Sequence, residues 1–302
     1  MKVTTNTSSF GQQDKRPLEL LRAKGLEPVM NPHKRAMTPE ETVSFCADAD
    51  GIIAGTETLD AGVLSKLPRL KVISRCGTGM NNVDQKTAAA RGIKVFNTPG
   101  GPTAAVAELV VGLMLSLLRR TNDMDRKLRA GTWEKKMGNL LSGKTVGILG
   151  FGRIGRKVAE LLLPFGVQIL YTDPLEAGKE WNAVKVPLAG LLEKADIVTL
   201  HAAVDDGKAI LGEAEISKMK KGAWLMNLSR GEALDENALC LALKAGRLSG
   251  AALDVFRQEP YAGPLKDLEN VILTPHIGSY AAEARVLMEI ESAENLLKGL
   301  GL

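Results

Sequence analysis

The sequence predicts an α/β protein built as two Rossmann-like, doubly wound parallel-sheet domains. Short β-rich runs alternate with longer amphipathic runs from one end of the chain to the other. Many of the short runs are apolar throughout, the pattern of strands covered on both faces of a parallel sheet. A glycine-rich turn joining a strand to a helix, at 150–155, marks the second domain as a nucleotide binder.

In the first half, strands are expected at 2–5, 28–30, 51–55, 70–76 and 94–97, with helical stretches at 17–24 and 85–91. The run Thr98-Pro-Gly-Gly-Pro102 is a breaker, with two prolines and two glycines. A long helix is expected from Thr103 to about Arg120; Glu108 is its only acid, so it should be buried. A second series of strands follows at 145–150, 168–172, 184–186, 197–201, 223–228, 250–255 and 271–274. A final amphipathic helix is expected over 281–298.

At 302 residues the chain has room for two domains. Hydrophobic content of 45% and charged content of 25% are those of a soluble globular protein. No apolar run is expected to reach the ~18 residues of a membrane span, and the polar start, Met1 to Phe10, lacks the apolar stretch of a signal peptide. Cys46, Cys76 and Cys240 are scattered without metal-ligand spacing, so free buried thiols and no metal site are expected. A cytoplasmic location follows. The net charge of +4 is spread along the chain. That argues against nucleic acid and membranes as partners and suits a small anionic molecule.

Residues 145–155 read as a strand feeding G-x-G-x-x-G at Gly150, Gly152 and Gly155, with a helical run at 156–163. Gly150 permits the tight turn, Gly152 lets backbone approach a pyrophosphate, and Gly155 lets helix pack on strand. The helix start, with the backbone of Arg153 and Ile154, offers N–H groups to the phosphates. Asp173 ends the next strand about 18 residues past Gly155, near the ~20 expected for the acid that holds the adenine ribose. A carboxylate there repels a 2′-phosphate, so the expected cofactor is NAD.

The chain has three histidines. His33 sits in a polar loop and is expected to be solvated. His201, followed by Ala202, ends a strand at the edge where open α/β sheets bind ligands; it touches the cofactor or simply caps the strand. His276 also ends a strand and lies beside Gly278, which permits close backbone approach. Arg230 and Glu259 follow two further strands. Hydride transfer to a ketone needs an acid for the new alkoxide and a cation for the adjacent carboxylate. A histidine bonded to a carboxylate meets the first need, and an arginine the second. Each alone is an ordinary surface residue; their joint placement after successive strands points to catalysis.

The stretches Arg75-Cys-Gly-Thr-Gly79, Asn97-Thr-Pro-Gly100, Ala105-Val-Ala-Glu108, Gly143-Lys-Thr-Val-Gly-Ile-Leu-Gly150, Gly152-Arg-Ile-Gly155, Asn227-Leu-Ser-Arg-Gly231, Gly250-Ala-Ala-Leu-Asp-Val-Phe256, Glu259-Pro260 and Pro275-His-Ile-Gly278 span most of the chain. In these the sequence resembles the D-isomer-specific 2-hydroxyacid dehydrogenase family, most closely its D-3-phosphoglycerate dehydrogenase branch. The resemblance implies that Arg230 orients substrate, that His276 is the acid/base and that Glu259 is its carboxylate partner. It implies that Asp254 meets the nicotinamide carboxamide, that Thr78, Leu228 and Ser229 line the cofactor, and that Arg75 with Gly77, Thr78 and Gly79 forms the substrate side. It further implies a homodimer and a cleft between the two domains. The substrate-binding domain would be discontinuous, 1–98 and 277–302, and the NAD-binding domain would be 99–276.

The expected reaction is NAD-dependent interconversion of a small acidic D-2-hydroxy acid and its 2-keto acid. A 3-phosphoglycerate-like substrate leads, with Arg75 and the pair Lys135-Lys136 as candidates for its second anionic group. Gly55 stands where phosphoglycerate-type members usually place an arginine, and Asn81 and Pro102 also depart from the family's usual residues. A glyoxylate/hydroxypyruvate or D-lactate-type reductase is the alternative enzyme. An NAD-sensing corepressor-like binding protein is the alternative of another class. Because the chain ends at Leu302, regulation through C-terminal domains is not expected.

Overall fold

The structure, a computed structural model, describes residues 1–175, 180–202 and 208–302. The chain divides into two units. Unit 1 comprises Met1–Pro102 and Ser279–Leu302; unit 2 comprises Thr103–Gly278.

Unit 1 contains β1 (Val3–Thr5), β2 (Val29–Met30), β3 (Gly51–Ala54), β4 (Val72–Arg75) and β5 (Lys94–Asn97). They form one sheet in the order β2-β1-β3-β4-β5, and every pair is parallel. Successive residues alternate between faces, so Ile52 and Ile73 pack with Cys46, Leu64 and Leu67. Ile53 and Val72 instead pack with Val3, Leu296 and Leu297. The helix Ala282–Leu300 thus closes one face from the far end of the chain. Its Glu289 is fully buried. One carboxylate oxygen accepts the Arg285 Nε–H at 2.7 Å and the other the Gly11 N–H at 2.8 Å.

Unit 2 contains β6 (Thr145–Leu149), β7 (Gln168–Thr172), β8 (Ala183–Lys185), β9 (Ile197–Leu200), β10 (Trp224–Asn227), β11 (Gly250–Leu253) and β12 (Val271–Leu273). The sheet order is β12-β11-β10-β9-β6-β7-β8, again parallel at every pair. From β6 the chain winds outward one way through β7 and β8, then returns to build β9 to β12 on the other side. The order therefore reverses between β6 and β9, and open α/β sheets bind ligands outside the carboxyl ends of strands at such a point.

Several strands stop short of the sequence expectation at their carboxyl ends. Gly150, His201, Leu228, Asp254 and Thr274 lie just beyond β6, β9, β10, β11 and β12. They are apolar-flanked and read as strand, but the chain turns there to form the site.

The long helix is also longer than expected, Gly100–Arg119. Gly100, Gly101 and Pro102 form its first turn instead of breaking the chain, because a proline's missing N–H is not needed there. By length and composition this helix is apolar enough to cross a membrane, contrary to the sequence expectation, yet Val106, Ala107, Val110, Met114 and Leu118 pack into a core cluster of unit 2.

Candidate active site

The glycine turn is shaped by close approaches. Gly150 has φ +89°, and a Cβ on it would lie 2.5 Å from the Ala202 amide nitrogen. A Cβ on Gly155 would collide with the Gly150 carbonyl oxygen. Gly152, by contrast, has no heavy atom within 4 Å of a Cβ position. It caps the helix Arg153–Leu162, and no side chain satisfies that helix start. Open space beside uncapped N–H groups fits a dinucleotide's phosphates.

Asp173 holds the turn: its carboxylate accepts the Phe151 N–H at 2.6 Å and the Leu175 N–H at 2.8 Å. It keeps lone pairs for ribose hydroxyls. His201 Nε2 lies 3.0 Å from the Thr199 hydroxyl, while Nδ1 is buried with no hydrogen-bond partner among the described residues. Desolvation pushes this imidazole down to about 4, so it is neutral at pH 7. Of the two sequence readings of its side chain, capping its own strand is the one these contacts favour; His201 and Ala202 meet the glycine turn through backbone.

After β10, buried Asn227 shapes the loop that carries Leu228, Ser229 and Arg230. Its Oδ1 accepts from the Ser229 N–H and hydroxyl at 3.1 and 2.9 Å, and its Nδ2 donates to the Arg230 carbonyl at 2.8 Å. Sequence reasoning passed over Asn227, although an amide at a strand end is a known turn-former. The Arg230 guanidinium donates to the Ser229 carbonyl at 2.7 Å. Gly231 must be glycine, because a Cβ would strike the Phe256 carbonyl.

Glu259 links the loop after β11 to the loop after β12. Its Oε1 accepts the Phe256 N–H at 3.0 Å, and its Oε2 lies 2.9 Å from His276 Nδ1. Both side chains are exposed, His276 at 53% and Glu259 at 38%. Nδ1 is engaged, so Nε2 is the ring atom available to a substrate oxygen. His276 itself has φ +53°, a left-handed backbone rare for a side-chain-bearing residue. Asp254 holds it there. The buried carboxylate accepts the Ile277 N–H at 2.8 Å, the Gly278 N–H at 2.8 Å and the Thr274 hydroxyl at 2.6 Å. Asp254 is thus occupied in shaping the histidine loop, a duty that the sequence-derived cofactor role did not include.

The remaining predicted contacts lie in unit 1. Gly77 has φ +146°; its N–H donates to the Thr98 hydroxyl at 2.7 Å, and its carbonyl accepts the Thr98 N–H at 3.0 Å. Thr78 is exposed, and its carbonyl accepts from Asn97 at 2.9 Å. Gly79 is half-buried. The Arg75 guanidinium folds over Gly77 and donates to the Cys76 carbonyl. The pair Lys135-Lys136 divides: Lys135 is exposed, whereas Lys136 is tied to Asp123 at 3.0 Å and Glu269 at 3.3 Å within unit 2. That ion network removes Lys136 from the candidates for substrate charge.

A parallel sheet with its switch point at a phosphate-fitting glycine turn, beside an arginine and a histidine–carboxylate pair, defines a dinucleotide-dependent oxidoreductase. Residues 111–278 match the family model of the D-isomer specific 2-hydroxyacid dehydrogenase NAD binding domain. A hydroxypyruvate reductase of Thermotoga maritima is 36% identical over 96% of this chain and 96% of its own length. A D-3-phosphoglycerate dehydrogenase of Archaeoglobus fulgidus is also 36% identical, over 94% of this chain but only 55% of its own. Among solved structures, the TT0316 protein of Thermus thermophilus aligns with TM-score 0.91 and 34% identity, covering 100% of this chain and 97% of that one. The chain belongs to the D-isomer-specific 2-hydroxyacid dehydrogenases, and NAD is its cofactor.

Proposed function

We propose that the chain interconverts a small D-2-hydroxy acid and its 2-oxo acid, with Arg230, Glu259 and His276 as the acting residues. The observation that carries this reading is the His276–Glu259 pair at 2.9 Å, presented from the carboxyl edge of the NAD-binding sheet. NAD, when bound, carries the hydride to or from C2. Gly150, Gly152, Gly155 and the backbone of Arg153 and Ile154 hold its phosphates, and Asp173 its adenine ribose. His201, Ala202, Leu228, Ser229 and Gly278 line the cofactor through backbone and neutral contacts, with Thr78 contributed by unit 1. Asp254 would meet the carboxamide of the bound cofactor; its carboxylate retains acceptor capacity beyond the three bonds it makes.

In the reducing direction His276 Nε2 gives a proton to the forming alkoxide oxygen; in the oxidising direction it takes that proton back. Glu259 fixes the orientation and tautomer of the ring through Nδ1. Arg230 pairs with the C1 carboxylate as a planar fork. Arg75, Gly77, Thr78 and Gly79 supply the unit 1 contacts to the substrate.

A homodimer is supported by the surface of unit 2, where Leu128, Trp133, Met137 and Leu140 are exposed along one stretch, Met137 at 92%. A second copy of the chain is the occupant we propose for this exposed apolar stretch. Sedimentation of wild type against Trp133→Ser/Met137→Ser should show dimer and monomer. Three free, buried cysteines fit a reducing compartment such as the cytoplasm.

The test is turnover. Steady NADH formation with a panel of D-2-hydroxy acids, abolished by His276→Ala, is the expected result. NAD binding without turnover of any member would instead favour a cofactor-sensing protein.

A further inference from the structure

Two strands of unit 1, β4 and β5, leave their sheet side by side, with Arg75 and Asn97 paired in register at the carboxyl edge. Beyond them lie the loop 76–79 and Thr98, and the second holds the first. Thr98 is fully buried. Its hydroxyl accepts the Gly77 N–H at 2.7 Å, and its own N–H donates to the Gly77 carbonyl at 3.0 Å. The Gly77 N–H also reaches the Arg75 carbonyl at 3.0 Å, but that contact is local to the turn and does not tie the loop to β5. Next to Thr98, the Asn97 amide donates to the Thr78 carbonyl at 2.9 Å. The Asn97 carbonyl in turn accepts from the Asn295 amide at 3.1 Å, on the helix Ala282–Leu300.

The loop needs this support. Gly77 has φ +146°, where residues with side chains rarely go, and a Cβ there would strike the Arg75 guanidinium. A glycine loses more conformational freedom than any other residue when held in one shape, so the shape must be imposed from outside. The ties to Thr98 and Asn97 engage the Gly77 N–H, the Gly77 carbonyl and the Thr78 carbonyl. The N–H groups of Thr78 and Gly79 meet no acceptor among the described residues. Thr78 is exposed and Gly79 half-buried, so a ligand can reach this stretch. Adjacent backbone N–H groups suit the oxygens of an anion.

We propose that Thr98 and Asn97 are positioning residues for the reaction. They act through the loop and not on the substrate: they fix 77–79 in the shape whose N–H groups receive the oxygens of the acid. The inference rests on the substrate role given to this loop in the reading above. A loop that holds ground state and transition state alike contributes uniform binding. Loosening it should therefore raise KM for the acid and leave kcat nearly unchanged. The rise is the inverse of the fraction of molecules whose loop keeps the receiving shape.

The experiment measures kcat, KM for the acid and KM for NAD in wild type, Thr98→Val, Thr98→Ser and Asn97→Ser. The substrate is whichever of glycolate, D-lactate, D-glycerate and D-3-phosphoglycerate wild type turns over fastest. Thr98→Val keeps the side-chain shape and loses the hydroxyl. Its KM for the acid should rise roughly tenfold, the scale of one lost hydrogen bond. Its kcat should stay within about twofold of wild type, as should KM for NAD, which Gly150, Gly152 and Asp173 hold from unit 2. Thr98→Ser keeps the hydroxyl and should restore the wild-type KM. Asn97→Ser, at a half-buried position, should raise KM for the acid in the same direction, and it decides the matter if Thr98→Val does not fold. An unchanged KM for the acid in both Thr98→Val and Asn97→Ser, whatever their thermal stability, would leave these residues merely structural and overturn the inference. A Thr98→Ser variant that behaves as Thr98→Val, or kcat and both KM values moving together, would overturn it too. In each of these cases the reaction class stands. No turnover of these acids, or of any other 2-hydroxy acid, overturns the reaction class and the inference together.

Discussion

Asp254 and His276 are joined through backbone: the Asp254 carboxylate accepts the N–H groups of both residues that follow His276, each at 2.8 Å. This anchor holds the histidine in its left-handed conformation, at φ +53°. Asp254→Ala removes three hydrogen bonds from the loop. Bonds to a charged acceptor are worth ~1.5–3 kcal/mol each, with compensation by water in the variant, so a loss of about 3 kcal/mol is expected. The kcat should fall at least ~10-fold, because small displacements of a reacting group are costly. Thermal unfolding and steady-state kinetics check both. A stable variant of full activity would remove Asp254 from this duty.

Glu259 should orient the histidine ring. Glu259→Gln keeps the side-chain shape but loses the charge-assisted bond to His276 Nδ1. The kcat should fall roughly 10-fold or more in both directions with KM little changed, because small displacements of a reacting group are costly. His276→Ala should lower kcat by roughly 10²–10⁴ in both directions, with NAD affinity retained. An unchanged kcat in Glu259→Gln would show that Glu259 does not position the histidine.

Cofactor choice should follow Asp173. Replacing it with Ser removes the acceptor for ribose hydroxyls and relieves repulsion of a 2′-phosphate. The preference for NAD over NADP should narrow, mainly through a higher KM for NAD. The loss of two N–H contacts, to Phe151 and Leu175, should also loosen the glycine turn. Equal kcat/KM for the two cofactors in the wild type would contradict this role.

His201 should make stability depend on pH. Its folded pKa, about 4, lies below the ordinary 6.5, so the unfolded chain binds more protons between these values. Stability is therefore greatest above about 6.5 and declines as pH falls toward 4, by up to a few kcal/mol. Urea midpoints measured from pH 4 to 7 should show this slope in wild type and a shallower one in His201→Asn. Matching slopes would mean that other groups govern the acid limb.

Much of the architecture could be read from pattern. Short runs centred on β-branched, aliphatic and aromatic residues mark strands even at a sheet edge, so 94–97 and 168–172 are read at their observed bounds. The glycines at 150, 152 and 155 betrayed a turn that tolerates no side chain at two of its three positions. What escaped was any residue whose meaning lies in a distant partner. Nothing in the local sequence marks Glu57, which tertiary structure buries to 2% exposure. Lys136 reads as half of a surface pair until Asp123 and Glu269 close on it. Gly100 to Pro102 read as a stop because local propensity cannot reveal that a proline will land in the first turn of a helix.

The bond from Gly11 to Glu289 spans nearly the whole chain, and Met288, Ala293, Leu296 and Leu297 belong to the same cluster as Val3, Phe10 and Leu18. During synthesis on the ribosome, unit 2 has all of its strands before the helix that completes unit 1 is made. The segment around Gly11 must therefore wait for the helix that carries Glu289. Domains acquire structure as they emerge, so the cofactor-binding unit should mature first and the amino-terminal segment should stay protease-sensitive until release. Chains arrested after Gly278 should yield a protected fragment of unit 2 and a digested first hundred residues; equal protection of both would show that unit 1 stands without its closing helix.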